Sequence, residues 1–169
     1  GARPDIWSLG HRNPLGAAIH PESKKLWINE MGPLGGDEIN IIEPGKNYGW
    51  PVVSNGDNYD RSPIPDHPTR PELEAPIESW NPVISPSGFL FHDGTGVASW
   101  RGNVFLGGLS SEALIRLTIT GNQVSDEERI AMGRRIRDLL EDRDGSILVL
   151  TDAKDGELLR LAPRSRTSE

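Results

Sequence analysis

A chain of 169 residues with 18 basic and 25 acidic side chains carries a formal charge of −7, which argues against a nucleic-acid binder, because phosphate affinity needs a basic face. No apolar run approaches the length of a membrane span, and the opening residues do not read as a signal peptide. The absence of cysteine excludes disulfides, thiolate metal sites and thiol nucleophiles.

In chain order, three segments read alike. They run from Gly16 to Ile42, from Gly88 to Ile119 and from Ile136 to Ala162. Each holds an apolar strand, a polar turn, a strand centred on "LWINE", "VFLGG" or "ILVLT", another turn, and then "EINII", "ALIRL" or "ELLRL". The 19 glycines and 14 prolines, about a fifth of the chain, are spread along it as punctuation between short elements. Repeated units of three or four strands predict an all-β propeller, since one unit cannot bury both faces and must stack on its neighbours. A β-sandwich is the alternative. The best helical candidate, "SDEERIAMGRRIRDLLE", is broken by Gly133 and falls where the repeat calls for strands. Residues 1–162 are expected to form the propeller part and 163–169 a flexible tail. The polar, proline-rich stretch from Ser54 to Trp80 is expected to be a surface excursion.

Within this frame, "GGDE" (Gly35–Glu38) resembles a nucleotide cyclase signature, but strand-like flanks on both sides argue against that. Gly35 and Gly36 are expected to turn a hairpin by supplying positive φ. Alternation then puts Asp37 and Glu38 on opposite faces. Arg135 and Arg137, with Ile136 between them, fall on one strand face, where two like charges favour an anionic partner; a solvated charged strand is the alternative. Arg12 and Asn13 in "HRNP" are either a polar loop before Pro14 or a fork for a carboxylate and a carbonyl. His11, His20, His67 and His92 show no zinc-type spacing, and His20 and His92 are expected at turns. The five tryptophans are expected in packing between units, with Trp50 and Trp80 as candidates for a pocket rim.

Six motifs occur in one order: "GHRNPLG" (Gly10–Gly16), "NEMGPLGGDEIN" (Asn29–Asn40), "GKNYGWP" (Gly45–Pro51), "SPSGFLF" (Ser85–Phe91), "WRGNVFLGGL" (Trp100–Leu109) and "GRRIRD" (Gly133–Asp138). Over nearly the whole chain this series resembles the C-terminal half of the soluble pyrroloquinoline quinone (PQQ)-dependent aldose sugar dehydrogenases, relatives of soluble glucose dehydrogenase and the sorbosone dehydrogenases. The resemblance implies about three blades of a six-bladed propeller. It implies PQQ contacts at Arg12, Asn13, Gly108, Leu109, Ser110, Arg135 and Arg137. It further implies Ca2+ at the carbonyls of Gly32 and Pro33, and a second Ca2+ at Glu38 and Tyr48, the tyrosine through its backbone carbonyl.

The implied activity is oxidation of a sugar at the anomeric carbon by hydride transfer to PQQ. The catalytic base is not among these residues, because in the family it lies in the N-terminal half. A missing half or a second chain is therefore expected as the partner that closes the propeller, and this chain alone is expected to be inactive. A periplasmic or secreted location is likewise implied. Leu15, Met31 and Ser110 depart from the family pattern, the last replacing a usual lysine. With the missing half, they leave open a non-catalytic calcium-stabilised propeller segment, either a degenerate relative or an interaction module. A calcium-dependent sugar lactonase, which also uses propellers, is a further alternative, against which the arginines count.

Overall fold

In the computed structural model, which describes residues 3–162, every element longer than one short turn is a strand. The expected tail at 163–169 lies outside the described residues. The chain passes through β1 (Pro14–Ile19), β2 (Leu26–Glu30), β3 (Leu34–Gly35), β4 (Asp37–Ile42), β5 (Gly56–Asp57) and β6 (Glu78–Trp80). Of these, β1, β2, β4 and β6 form one antiparallel sheet in that order, and β3 pairs with β5 beside it. A second four-stranded sheet holds β7 (Pro86–Phe91), β8 (Val104–Gly108), β9 (Ala113–Thr120) and β10 (Gln123–Ala131). A third holds β11 (Ile136–Glu141), β12 (Ile147–Thr151) and β13 (Leu158–Leu161). The helical candidate is thus β10 and β11, separated at Gly133, whose φ is +60°.

Strand alternation explains how the sheets stack. In β8 and β9, Val104, Leu106, Ile115 and Leu117 turn toward the first sheet and meet Trp27, Ile39 and Trp80. Their neighbours Phe105 and Leu114 turn the other way and meet Ile136, Leu139 and Ile147 of the third. Each such side chain contributes about 1.5–3 kcal/mol by leaving water.

The first strands of the three sheets, β1, β7 and β11, lie side by side. Glycine permits this close approach: a Cβ on Gly16 would stand 2.5 Å from the Ser87 carbonyl, and one on Gly88 would stand 2.6 Å from the Leu139 nitrogen. Ser87 Oγ of β7 binds the carbonyls of Gly107 in β8 and Ile136 in β11, and Asn29 Nδ2 of β2 donates to the Ser87 carbonyl at 2.7 Å, so β7 is pinned to both neighbouring sheets. Three sheets stacked face to face with converging first strands are three blades of a β-propeller.

Both end faces of the stack remain apolar and open. Leu140 and Leu158 of the third blade are 64% and 67% exposed beside a hollow of about 250 Å³. At the other end Trp7 and Ile19 are 61% and 56% exposed.

Two expectations need correction. Gly35 and Gly36 do have positive φ (+87° and +70°), but they do not close a tight hairpin. Glu30 pairs with Glu38, and residues 31–37 between them fold out to form β3 against β5. The stretch from Ser54 to Trp80 is not purely a surface excursion: Ser54, Ile64 and His67 are buried as it folds back over the first blade. Among the described residues no helix is long and apolar enough to cross a membrane.

Candidate functional site

The segment before β1 runs beside the turn after β4. Tyr48 N donates to the Leu9 carbonyl and Trp50 N to that of Gly10, both at 2.9 Å, which brings "GHRN" against "NYGW". Glu30, at the end of β2 and 3% exposed, anchors the result. Its Oε2 accepts the backbone N–H groups of Arg12 (2.7 Å) and Asn13 (3.4 Å), and its Oε1 meets His11 Nδ1 and Asn40 Nδ2, both at 3.1 Å. Both oxygens of Glu30 are therefore taken by the protein itself.

Held this way, the Arg12 guanidinium lies 5.3 Å from the Trp50 ring centre and 5.8 Å from that of Tyr59. It donates to the Met31 carbonyl (2.9 Å) and the Tyr59 hydroxyl (3.0 Å). Trp50 thus lies on the site, whereas Trp80, also expected as a rim residue, is a buried core residue that donates to Glu127. The Asn13 side chain is exposed and accepts or donates no hydrogen bond among the described residues.

Arg12, Gly32, Glu38 and Tyr48 line one small cavity with Glu30, Met31 and Gly36, about 10 Å³ and so large enough for one water or ion. Glu38 Oε2 accepts from Asn40 Nδ2 at 3.1 Å, while Oε1 accepts no hydrogen bond among the described residues. His67 Nε2 stands 3.5 Å from that oxygen, and neither nitrogen of this buried ring has a hydrogen-bond partner. The Tyr48 hydroxyl is committed elsewhere: it donates to the Ile41 carbonyl and accepts from Glu43 N, and burial holds its pKa above the ordinary value. Only the tyrosine's backbone is left to offer. His11 stacks on the ring at 4.8 Å.

Gly32 sits where a Cβ would be 2.1 Å from the Gly35 carbonyl oxygen, so this turn admits no side chain. Asp37 points away from Glu38, as alternation requires, and its carboxylate accepts the N–H groups of Gly32, Ile84 and Ser85. Burial raises its pKa, against the opposing pull of those three bonds and of the Arg12 charge.

Arg135 and Arg137 do lie together, about half exposed, on β11 and just before it. Their anionic partner within the chain is Asp152: Oδ2 accepts Nε and Nη2 of Arg135 at 3.0 and 2.8 Å, and Oδ1 lies 3.1 Å from Nη2 of Arg137. The two arginines hold the Asp152 pKa below the ordinary carboxylate value. Arg135 Nη1 also reaches the Leu109 carbonyl at 3.5 Å. Leu109 itself is buried, so the Gly108–Ser110 turn presents backbone rather than the leucine side chain. Ser110 is exposed and its Oγ donates to the Val83 carbonyl. Leu15 faces a hollow shared with Ser87, Arg137 and Leu150.

Sequence reasoning missed Glu30, His67 and Asp152. The first was legible, since the β2–β4 register sets it opposite Glu38. So was the third, because Thr151 pairs with Ile136 and leaves Asp152 beside both arginines. Nothing local marked His67. His20 and His92 do cap turns, each accepting backbone N–H groups at Nδ1.

A family model described as Glucose / Sorbosone dehydrogenase matches residues 1–160. Aldose sugar dehydrogenase YliI of Escherichia coli (strain K12) is 42% identical over 171 residues, covering 98% of this chain and 46% of the relative. A solved structure of glucose dehydrogenase superposes with a TM-score of 0.91 at 44% identity, covering 97% of this chain and 49% of that one. The PQQ-bound form of aldose sugar dehydrogenase from Streptomyces coelicolor superposes with a TM-score of 0.67 at 26% identity, covering 92% and 43%. The chain thus spans about half, or less, of the length of these relatives.

Proposed function

The chain belongs to the glucose/sorbosone dehydrogenase family, and from that membership we propose that it is the cofactor-binding half of an oxidoreductase that oxidises aldose sugars at the anomeric carbon with PQQ and Ca2+. The observation that carries this is the Arg135–Arg137 pair. Two guanidinium groups share a single carboxylate, Asp152, so the cluster keeps a net positive charge at the mouth of the inner strands. A planar tricarboxylate is the complementary ligand.

The other residues fit the same ligand set. Arg12, held between Trp50 and Tyr59, supplies a further guanidinium beside a flat aromatic surface. Neither the Gly32 nor the Pro33 carbonyl accepts a hydrogen bond among the described residues, which leaves two oxygens of the kind Ca2+ prefers. Glu38 Oε1 and the Tyr48 carbonyl are similarly uncommitted at the 10 Å³ cavity and suit a second Ca2+. Asn13 and the backbone of Gly108, Leu109 and Ser110 complete the quinone contacts.

When bound, PQQ would supply the hydride acceptor and Ca2+ a Lewis acid. The part played by this chain is to bind and orient. Arg12, Arg135 and Arg137 would fix the carboxylates, and Gly32 and Pro33 would hold the metal through rigid backbone. The base that removes the anomeric hydroxyl proton is not assigned to any of these residues, and we propose that it comes with the blades that cover the two open end faces. The chain alone is then inactive. Titration with PQQ and Ca2+ in the presence of the completing blades should shift the quinone absorption spectrum; an unchanged spectrum would overturn the assignment.

A further inference from the structure

Asp37 lies between the two blades that carry the proposed ligands. It is 1% exposed, opens β4, and makes no ion pair among the described residues. Its Oδ1 accepts the Gly32 N–H at 3.0 Å, from within the turn proposed to hold Ca2+. Its Oδ2 accepts two consecutive N–H groups, Ile84 and Ser85, each at 2.7 Å. Ser85 adopts φ +53°, a left-handed conformation unusual for a residue other than glycine. That conformation turns both N–H groups of the corner toward one oxygen, forming a small anion nest.

The same corner faces the second blade with its carbonyls. Leu109 N donates to the Ser85 carbonyl at 2.9 Å, and Ser110 N and Ser111 N donate to that of Ile84 at 3.2 and 3.3 Å. A continuous series of hydrogen bonds therefore runs from Gly32 through Asp37 and Ile84–Ser85 to Leu109–Ser111. Among the described residues three donors and no acceptor converge on this buried group, so only an ionised carboxylate satisfies them all. An amide would set its own N–H2 against at least one N–H.

We propose that Asp37 is a positioning residue that fixes the spacing between the calcium turn Gly32–Pro33 and the quinone-contact turn Gly108–Ser110, one carboxylate gauging both. The coupling of the turns stands on the geometry; its consequence for ligands rests on the PQQ and Ca2+ assignment above.

The test is Asp37→Asn with two independent readouts. In hydrogen exchange, amides of both Gly32 and Leu109–Ser111 should exchange at least about tenfold faster, while those of β12 are unchanged. In PQQ titrations, the Ca2+ concentration giving half the spectral change should rise about tenfold. Ile115→Val, a core change in β9 that removes none of the hydrogen bonds in the series, should leave that concentration where it is. Faster exchange at Gly32 alone would overturn the proposal, as would an equal calcium shift in Ile115→Val. Should Asp37→Asn fail to fold, the unsubstituted protein decides: Gly32 and Leu109 should share one denaturant dependence of exchange, and separate dependences would overturn the coupling. A parent protein blind to PQQ and Ca2+ would remove the ligand assignment, while the exchange data would still judge the coupling.

Discussion

Glu30 and Glu38 are paired across β2 and β4, and a single Asn40 amide donates to both at 3.1 Å. Of these two buried carboxylates, Glu30 spends both carboxylate oxygens on protein donors, whereas Glu38 Oε1, 3.5 Å from His67 Nε2, accepts no hydrogen bond among the described residues and Glu38 lines the ion-sized cavity. The pair thus divides the work between a structural anchor and a candidate metal ligand.

From this division, Ca2+ should stabilise the protein and Glu38→Gln should remove the part of that gain that comes from the ion at Glu38 and Tyr48. At a free Ca2+ concentration a hundred times the Kd, binding contributes about 2.7 kcal/mol. For a chain of this size that corresponds to a rise in Tm of roughly 5–10 °C. Differential scanning calorimetry with and without chelator checks it; an undiminished rise in Glu38→Gln would remove Glu38 from the site.

Glu30→Ala and Arg12→Ala should separate stability from binding. Removing Glu30 strips the Arg12 and Asn13 N–H groups of their acceptor in a partly buried setting, a loss of about 2–4 kcal/mol by the worth of bonds to a charged group. Removing the partly buried Arg12 side chain should change denaturant midpoints less than Glu30→Ala does but weaken PQQ binding by about tenfold or more. Equal effects on midpoint from the two variants would contradict the anchoring role of Glu30.

How much of this was legible in the sequence depends on the reach of each signal. The alternation of Phe105 with Val104 and Leu106, and of Leu114 with Ile115, encodes a strand that faces two neighbours, so stacking blades could be read locally. Arg135 and Arg137 were readable as a pair for the same reason. The fold-out of residues 31–37 was not, because Gly35 and Gly36 in positive φ suit a tight hairpin equally well, and the choice is made by distant Gly56 and Asp57. His67 was invisible because a long proline-rich segment carries no periodicity to say which of its residues turns inward.

Asp152→Asn should change acid sensitivity in a definite direction. The folded-state pKa of Asp152 is depressed by Arg135 first and Arg137 second, so its contribution is present above the ordinary value of 3.8 and is lost as pH falls through the lowered value. The asparagine variant should therefore show a shallower loss of stability below about pH 4, and the same stability slope as the parent above it. Because its carboxylate also aims both guanidinium groups, PQQ binding at neutral pH should weaken by on the order of tenfold. Urea midpoints across pH, alongside a quinone titration, provide the measurement; parallel acid limbs in parent and variant would rule out a stabilising role for the Asp152 ion pairs with Arg135 and Arg137.

Replacing Leu140 and Leu158 by Asp should expose the purpose of the open end face. Both side chains are more than 60% exposed already, at 64% and 67%, so the native state gains little from them and each substitution should change stability by no more than about 0.5 kcal/mol. What they add is an apolar patch beside β13, the outermost strand of the third blade. If that face is where further blades stack, the double variant should no longer combine with them and should show less concentration-dependent association on its own. Sedimentation velocity with and without the completing blades reads both effects. Undiminished assembly in the double variant would mean that the propeller closes through some other surface.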